Sequence, residues 1–237
     1  MAKYVILIAG NICAGKSEFV RYVKKNKDQF SSTLRDGEEV IDVPEFIDQV
    51  ALQLFYQNRE KYTPIFENSC LISRQVRTLK AKHTEDLYLF DRGMIEGAHT
   101  FCLNSFKEGY LSHKAFNEYI ESLKNGFDTL GRTEQHSWLE RVVVYLQVKN
   151  ADVLDERQKR RDTKGELIPR GYLERINELY ERFFENIDRV YSSYELRTPA
   201  VLCVDAETDF RKDPEYHQRI LTKMLQVVEG DLHVPTR

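Results

Sequence analysis

Residues 4–19 read YVILIAGNICAGKSEF, and the architecture turns on this stretch. A run of Val, Ile and Leu feeds straight into Gly10-x-x-x-x-Gly15-Lys16-Ser17, after which Phe19, Val20 and Val23 fall on one face of a helix. A strand, a glycine loop and a helix start in that order gather backbone N–H groups and the positive end of a helix dipole around one point, where phosphate oxygens bind. Gly10 and Gly15 permit the turn, and Asn11, Ile12, Cys13 and Ala14 complete it. Lys16 is suited to the charge of terminal phosphates and Ser17 to a magnesium ion. The first strand is expected to be a buried parallel one.

Working outward, EVIDV (39–43) predicts a second strand ending at Pro44. FIDQVALQLFYQ and IFENSCLISRQVRTLKAKH predict long helices on either side of a break at NREKYTP, residues 58–64. DLYLFDRG is a strand that delivers Asp91 and Arg92 to a carboxyl end, the edge at which open α/β sheets hold ligands. A helical segment through FNEYIESLKNGFDTL follows, with Gly109 and Gly126 as punctuation, then the strand RVVVYLQV. A densely charged stretch ends at Pro169. One long helix from Gly171, a last strand AVLCVDA and a terminal helix beginning near Pro214 complete the pattern. Neither repeat, linker nor low-complexity tract interrupts it, so one α/β domain over 1–237 with a five-stranded parallel sheet is expected.

Composition narrows the function. Across 237 residues, 41% are hydrophobic and 31% charged, enough for a sizeable core and against disorder. The initial apolar run reads as a strand and not as a signal peptide, and no stretch is long enough for a spanning helix, so a cytoplasmic protein away from membranes is expected. Cys13, Cys70, Cys102 and Cys203 lack the close pairing of a zinc site and read as ordinary thiols. A formal net charge of -3 argues against a surface built to grip nucleic acid, and no nucleic-acid partner is expected.

Beside a phosphate loop, Asp91 can hold magnesium or its water, while Arg92 balances charge moving between two oxygens. Arg157, Lys159, Arg160 and Arg161 admit two readings: a solvated helix face, or a cover that brings guanidinium groups over a transferring phosphoryl group.

Together these segments resemble the deoxynucleoside kinase family over nearly the whole chain. GNICAGKS resembles its phosphate loop, LFYQNREKYTPIFENSCLISR its substrate-binding helix, and DRG its strand-terminal [ED]-R-S. ELIPRGYLERINELYERFF and VLCVDAETDF resemble the stretch after its arginine-rich lid and the loop near the ATP base. The resemblance implies a P-loop kinase fold with a lid at about 155–168. It also implies ATP and Mg2+ as cofactors, transfer of the γ-phosphoryl group to a deoxynucleoside 5'-hydroxyl, and a homodimer built from helices.

Carried residue by residue, the resemblance gives Lys16 and Ser17 the phosphate and magnesium roles, and Asp91 and Arg92 those of the acidic and basic members of [ED]-R-S. Glu45 takes the general base from its VPE context, with Asp42 as the alternative. Tyr56 takes the sugar contact, Phe66 or Tyr62 the base slot, and Arg74 a place near the base. Arg157, Arg160 and Arg161 match phosphate-clamping arginines, and Glu166 a sugar-contacting glutamate. The loop from Asp205 to Phe210 approaches the adenine.

Two positions depart from the family pattern. Glu67 stands where relatives carry a glutamine, and an ionised carboxylate only accepts hydrogen bonds. The acid that follows [ED]-R-S is displaced, with Glu96 present and Gly97 at the matching position. A purine deoxynucleoside, guanine ahead of adenine, is the expected substrate. A normal or modified deoxynucleoside monophosphate is the alternative acceptor, and a nucleotide- or nucleic-acid-binding protein without turnover is a third reading.

Overall fold

A computed structural model describes residues 4–34, 37–81, 86–130, 140–161, 168–208 and 211–232. Five parallel strands, β1 (Tyr4–Ala9), β2 (Val40–Val43), β3 (Leu87–Asp91), β4 (Glu140–Gln147) and β5 (Ala200–Asp205), form one sheet in the order β2-β3-β1-β4-β5. The expected five-stranded parallel sheet is the one found.

Strand alternation explains why β1 reads as an unbroken apolar run. Val5, Leu7 and Ala9 enter one core with Tyr88, Phe90, Val143 and Tyr145. Ile6 and Ile8 enter the other with Leu87, Leu89, Val142 and Val144. A strand covered on both faces has no polar side to show. The edge strand β5 instead alternates between half-buried and exposed positions.

The first core lies under α3 (Arg59–Ala81), α4 (Met94–Gly97), a π-helical turn (Ala98–Cys102), α5 (Leu103–Lys107), α6 (His113–Leu130), α8 (Arg170–Glu185) and α9 (Ile187–Ser192). The second lies under α1 (Lys16–Lys25), α7 (Ala151–Arg160) and α10 (Tyr216–Leu232). A short α2 (Gln49–Gln57) packs on α3. From β1 the chain builds outward through β3 to β2 on one side and through β4 to β5 on the other, so the loops after β1 and β3 part at the carboxyl edge, where such sheets bind ligands.

Three local expectations change. The break expected over residues 58–64 shrinks to Asn58, whose side-chain oxygen accepts from the Lys61 N–H (3.0 Å) and starts α3 at Arg59. Pro64 then sits inside the helix. Gly126 does not punctuate but lies within α6, where a Cβ would come 2.3 Å from Gln75 Nε2; the small residue lets α3 and α6 approach. The helix expected from Gly171 onward is two, separated at Asn186.

Candidate active site

Two left-handed glycines shape the loop between β1 and α1. Gly10 has φ 145°, and a Cβ there would meet the Leu146 carbonyl at 2.8 Å; Gly15, at φ 103°, is the N-cap of α1. The loop is anchored from outside its own motif. Asn11 donates through Nδ2 to the Leu173 carbonyl (2.8 Å) and to Asn177 Oδ1 (2.6 Å) on α8, while its Oδ1 accepts from the Ile12 N–H (2.7 Å). Cys13 takes φ 62°.

Lys16 is buried beneath this loop and donates to the Gly10 and Asn11 carbonyls, both at 3.0 Å. Burial first, and then the Arg92 guanidinium, lower its ammonium to about 8, against the pull of Asp91, Glu96 and Glu45. It stays mostly charged at neutral pH.

Asp91 ends β3 opposite Ile8 of β1. Its Oδ1 is buried and has no hydrogen-bond partner among the described residues. Ser17 and Asp91 line one cavity of about 200 Å³ with Val20, Arg21, Lys24, Asp42, Val43 and Pro44. A buried carboxylate oxygen with an open acceptor site, sharing a cavity with a serine at a phosphate loop, suits Mg2+, which takes few protein ligands and completes its shell with phosphate oxygens and water. Among the described residues no group of three or more His, Cys, Asp or Glu side chains forms a fuller metal cage.

Arg92 adopts φ 65°, unusual for a residue with a side chain, and this turn sends its guanidinium inward. Nε reaches Glu45 Oε2 at 2.8 Å, Nη1 donates to the Tyr180 hydroxyl at 2.9 Å, and the guanidinium lies 4.2 Å over the Phe101 ring. Glu45, two residues past the end of β2, also takes Arg74 Nη2 on Oε1 at 2.5 Å. Burial would raise its carboxyl, but Arg74 and Arg92 outweigh burial and hold it at about 2. Asp42 sits apart, paired with Lys24 at 2.7 Å.

Along α3, Glu67 and Arg74 are two turns apart and both buried. Glu67 Oε1 accepts from the Ser105 hydroxyl at 2.7 Å, and burial raises its carboxyl to about 6. Tyr56 is exposed on α2, Phe66 stacks on Phe55 at 4.6 Å, and Tyr62 lies under the Lys61 ammonium at 5.0 Å.

The other expected residues lie around the phosphate loop, along α7 and at the end of β5. Glu96, grouped from sequence with the substrate pocket, is fully buried beside the phosphate loop, taking the Gly93 N–H (2.9 Å), the Gly10 N–H (3.4 Å) and the Tyr180 hydroxyl. These contacts tie the β3 turn to the loop and α8. Arg157 spans two loops: Nη1 lies 3.4 Å from the Cys13 and Ala14 carbonyls, and Nη2 donates to the carbonyl of Ala206 at 2.7 Å. Arg160 reaches back to Glu156 (3.1 Å) on an exposed face, and Arg161 is exposed at the end of α7. Asp205 caps its own loop by accepting from the Glu207 N–H at 2.9 Å. Glu166 and Phe210 lie outside the described residues, as does the lid from 162 to 167.

Sequence reasoning missed two residues that build the site. Arg77, one turn after Arg74, donates through Nη1 to the Val43 (3.1 Å) and Asp91 (2.9 Å) carbonyls and through Nη2 to the Arg92 carbonyl (2.9 Å). It ties the ends of β2 and β3 to α3. Its signal was an arginine on the helix face of Leu71, Arg74 and Thr78, where a solvated charge does not belong. Tyr180, within the helix expected from Gly171, places its hydroxyl 2.8 Å from the Gly10 carbonyl.

With this geometry stand the likenesses. The family described as deoxynucleoside kinase matches residues 6–229. Deoxycytidine kinase 2 of Gallus gallus is 24% identical over 236 residues, covering 88% of this chain and 84% of that protein. Deoxycytidine kinase of Mus musculus is 22% identical, covering 92% and 88%. The structure of deoxyadenosine kinase from M. mycoides with bound dATP superposes with a TM-score of 0.68 at 23% identity, over 94% of this chain and 99% of the other.

Proposed function

The chain belongs to the deoxynucleoside kinase family, an ATP-dependent group, and from that premise we propose that it transfers the γ-phosphoryl group to the 5'-hydroxyl of a purine deoxynucleoside. The observation that carries the reading is the convergence of Glu45, Arg92, Asp91 and Lys16 at one carboxyl edge. There the phosphate loop faces a carboxylate placed to take a hydroxyl proton once its guanidinium partners loosen.

The roles follow from chemistry. Lys16 and the loop N–H groups hold the phosphates of ATP, and Arg92 offsets charge on the oxygens that change partner. Glu45 orients the 5'-hydroxyl and accepts its proton as the O–P bond forms. Ser17 and Asp91 would hold Mg2+, which when bound neutralises phosphate charge and fixes the in-line geometry. Arg157 sets the spacing between the phosphate loop and the Ala206–Thr208 loop, and with it the width of the ATP-base cleft. The lid at 155–168 excludes water.

Support for a purine, guanine ahead of adenine, comes from Glu67. Arg74 bonds Glu45, so Glu67 keeps Ser105 as its hydrogen-bond partner, and above pH 6 its carboxylate suits the paired donors of guanine. A homodimer of single-domain chains is supported by α3, which exposes Ile65, Ile72, Val76 and Leu79 at steps of seven, four and three residues. Labelled transfer from ATP to the four deoxynucleosides and their monophosphates tests the acceptor. Turnover of deoxyguanosine and deoxyadenosine ahead of the pyrimidines is expected, and turnover of monophosphates alone would overturn the reading.

A further inference from the structure

Both carboxylate oxygens of the base Glu45 are engaged by guanidinium groups. Arg74 bonds Oε1 and Arg92 bonds Oε2, with the Lys16 ammonium also lowering its proton affinity. A carboxylate held in this way is a poor proton acceptor for an alcohol. Arg92 is fixed by its strained backbone, by Tyr180 and by Phe101. Arg74 is not fixed in the same sense: its Nε and Nη1 are buried and have no hydrogen-bond partner among the described residues.

What allows Arg74 to sit there is Gly97. A Cβ at that position would come 2.0 Å from Arg74 Nη1 and 2.7 Å from its Cζ, so the guanidinium fills the space that any side chain at 97 would take. One face of Arg74 therefore holds Glu45, while its remaining donors point to no protein acceptor. Glu67, two turns earlier on the same helix, is close enough for its carboxyl to feel Arg74, but its own hydrogen bond goes to Ser105. Two buried donors left open next to a carboxylate that binds a base edge call for an acceptor from outside the chain.

We propose that Arg74 is a latch that couples the base pocket to the chemistry: it holds Glu45 while the pocket is empty and turns to the acceptor atoms of a bound nucleobase, releasing Glu45 to the 5'-hydroxyl. Arg74 is thus a positioning residue, and Gly97 is the cradle that lets it latch. The inference rests on the reading of Glu45 as the base. It makes the rate of transfer, and not only affinity, depend on the presence of a base.

The test compares kcat for labelled transfer from ATP to deoxyguanosine and to 1,2-dideoxyribose, which has the hydroxyl but no base. The wild-type ratio is expected to exceed about tenfold, and Arg74→Gln should lower it by about tenfold or more by raising relative turnover of the bare sugar. Gly97→Ala, which displaces the guanidinium without removing it, should lower the ratio in the same direction and carries the test if Arg74→Gln does not fold. A wild-type ratio near one, or ratios in the folded variants within about threefold of wild type with only KM changed, would overturn the latch. Glu45→Gln separates the two readings. If it leaves kcat on deoxyguanosine within about threefold, the base assignment itself fails; if it abolishes turnover while the ratios stay unchanged, only the latch fails.

Discussion

Single side chains in this site differ by what surrounds them more than by their type. Glu45 and Asp42 are three residues apart and both acidic, yet one is enclosed by two guanidinium groups and the other pairs with Lys24 at 2.7 Å on the wall of a cavity. Glu45→Gln should therefore lower kcat about a hundredfold or more, whereas Asp42→Asn should cost less than about threefold, both read from steady-state rates at saturating ATP. Lys16→Ala and Asp91→Asn should each cost about a hundredfold in kcat, through lost charge at the phosphates and lost metal organisation.

Glu67 supplies a test of burial that is independent of turnover. Its folded carboxyl is raised by burial from 4.5 to about 6, so between these values the folded chain keeps a proton that the unfolded chain releases. Its contribution is complete below pH 4.5 and is lost as pH rises through 6, by about 2 kcal/mol. Urea melts of wild type and Glu67→Gln across that range should show wild type losing this stability relative to the variant. Parallel curves would mean that the carboxyl is not buried.

At the scale of elements, the motif-bearing loop is held by pieces that carry no motif. Asn11 ties it to α8, Arg157 ties it to the loop after β5, and Arg77 fixes the strand ends that present Asp91 and Glu45. Arg77→Met leaves three carbonyls without this donor, and chemical denaturation should report a loss of about 2 to 4 kcal/mol. An unchanged midpoint would remove Arg77 from the frame of the site.

The strands and the phosphate loop were legible because periodicity and glycine spacing are local signals. Val5, Leu7, Ile6 and Ile8 announce a strand covered on both faces without reference to the rest of the chain. Gly126 was misread because its cause lies in Gln75, far off in sequence, and Pro64 because the Asn58 cap outweighed it. Glu96 shows the same limit inside the site. Its place after DRG marked it as an acid near the site, while its partners Gly10 and Tyr180 are set by the fold, and no spacing rule reveals them.

At the scale of the molecule, α3 serves two purposes. One side carries Glu67, Arg74 and Arg77 into the site, and the other exposes Ile65, Ile72, Val76 and Leu79. An apolar stripe on a helix that also frames a pocket suits an isologous contact with a second copy, the commonest closed assembly. Light scattering should report a dimer for the wild type and a monomer for Ile72→Glu/Val76→Glu with its melting cooperative. A wild-type monomer would contradict the assignment of this face.

The central claim is the identity of the oxygen that receives the phosphoryl group, since it alone joins Glu45, the phosphate loop and the base pocket into one reaction. Phosphorus NMR of the product made from ATP and deoxyguanosine reads this directly. The account predicts a phosphorus coupled to the two methylene protons at C5', formed by wild type and lost with Glu45→Gln. Coupling to the single proton at C3', or release of inorganic phosphate with no nucleotide formed, would contradict it.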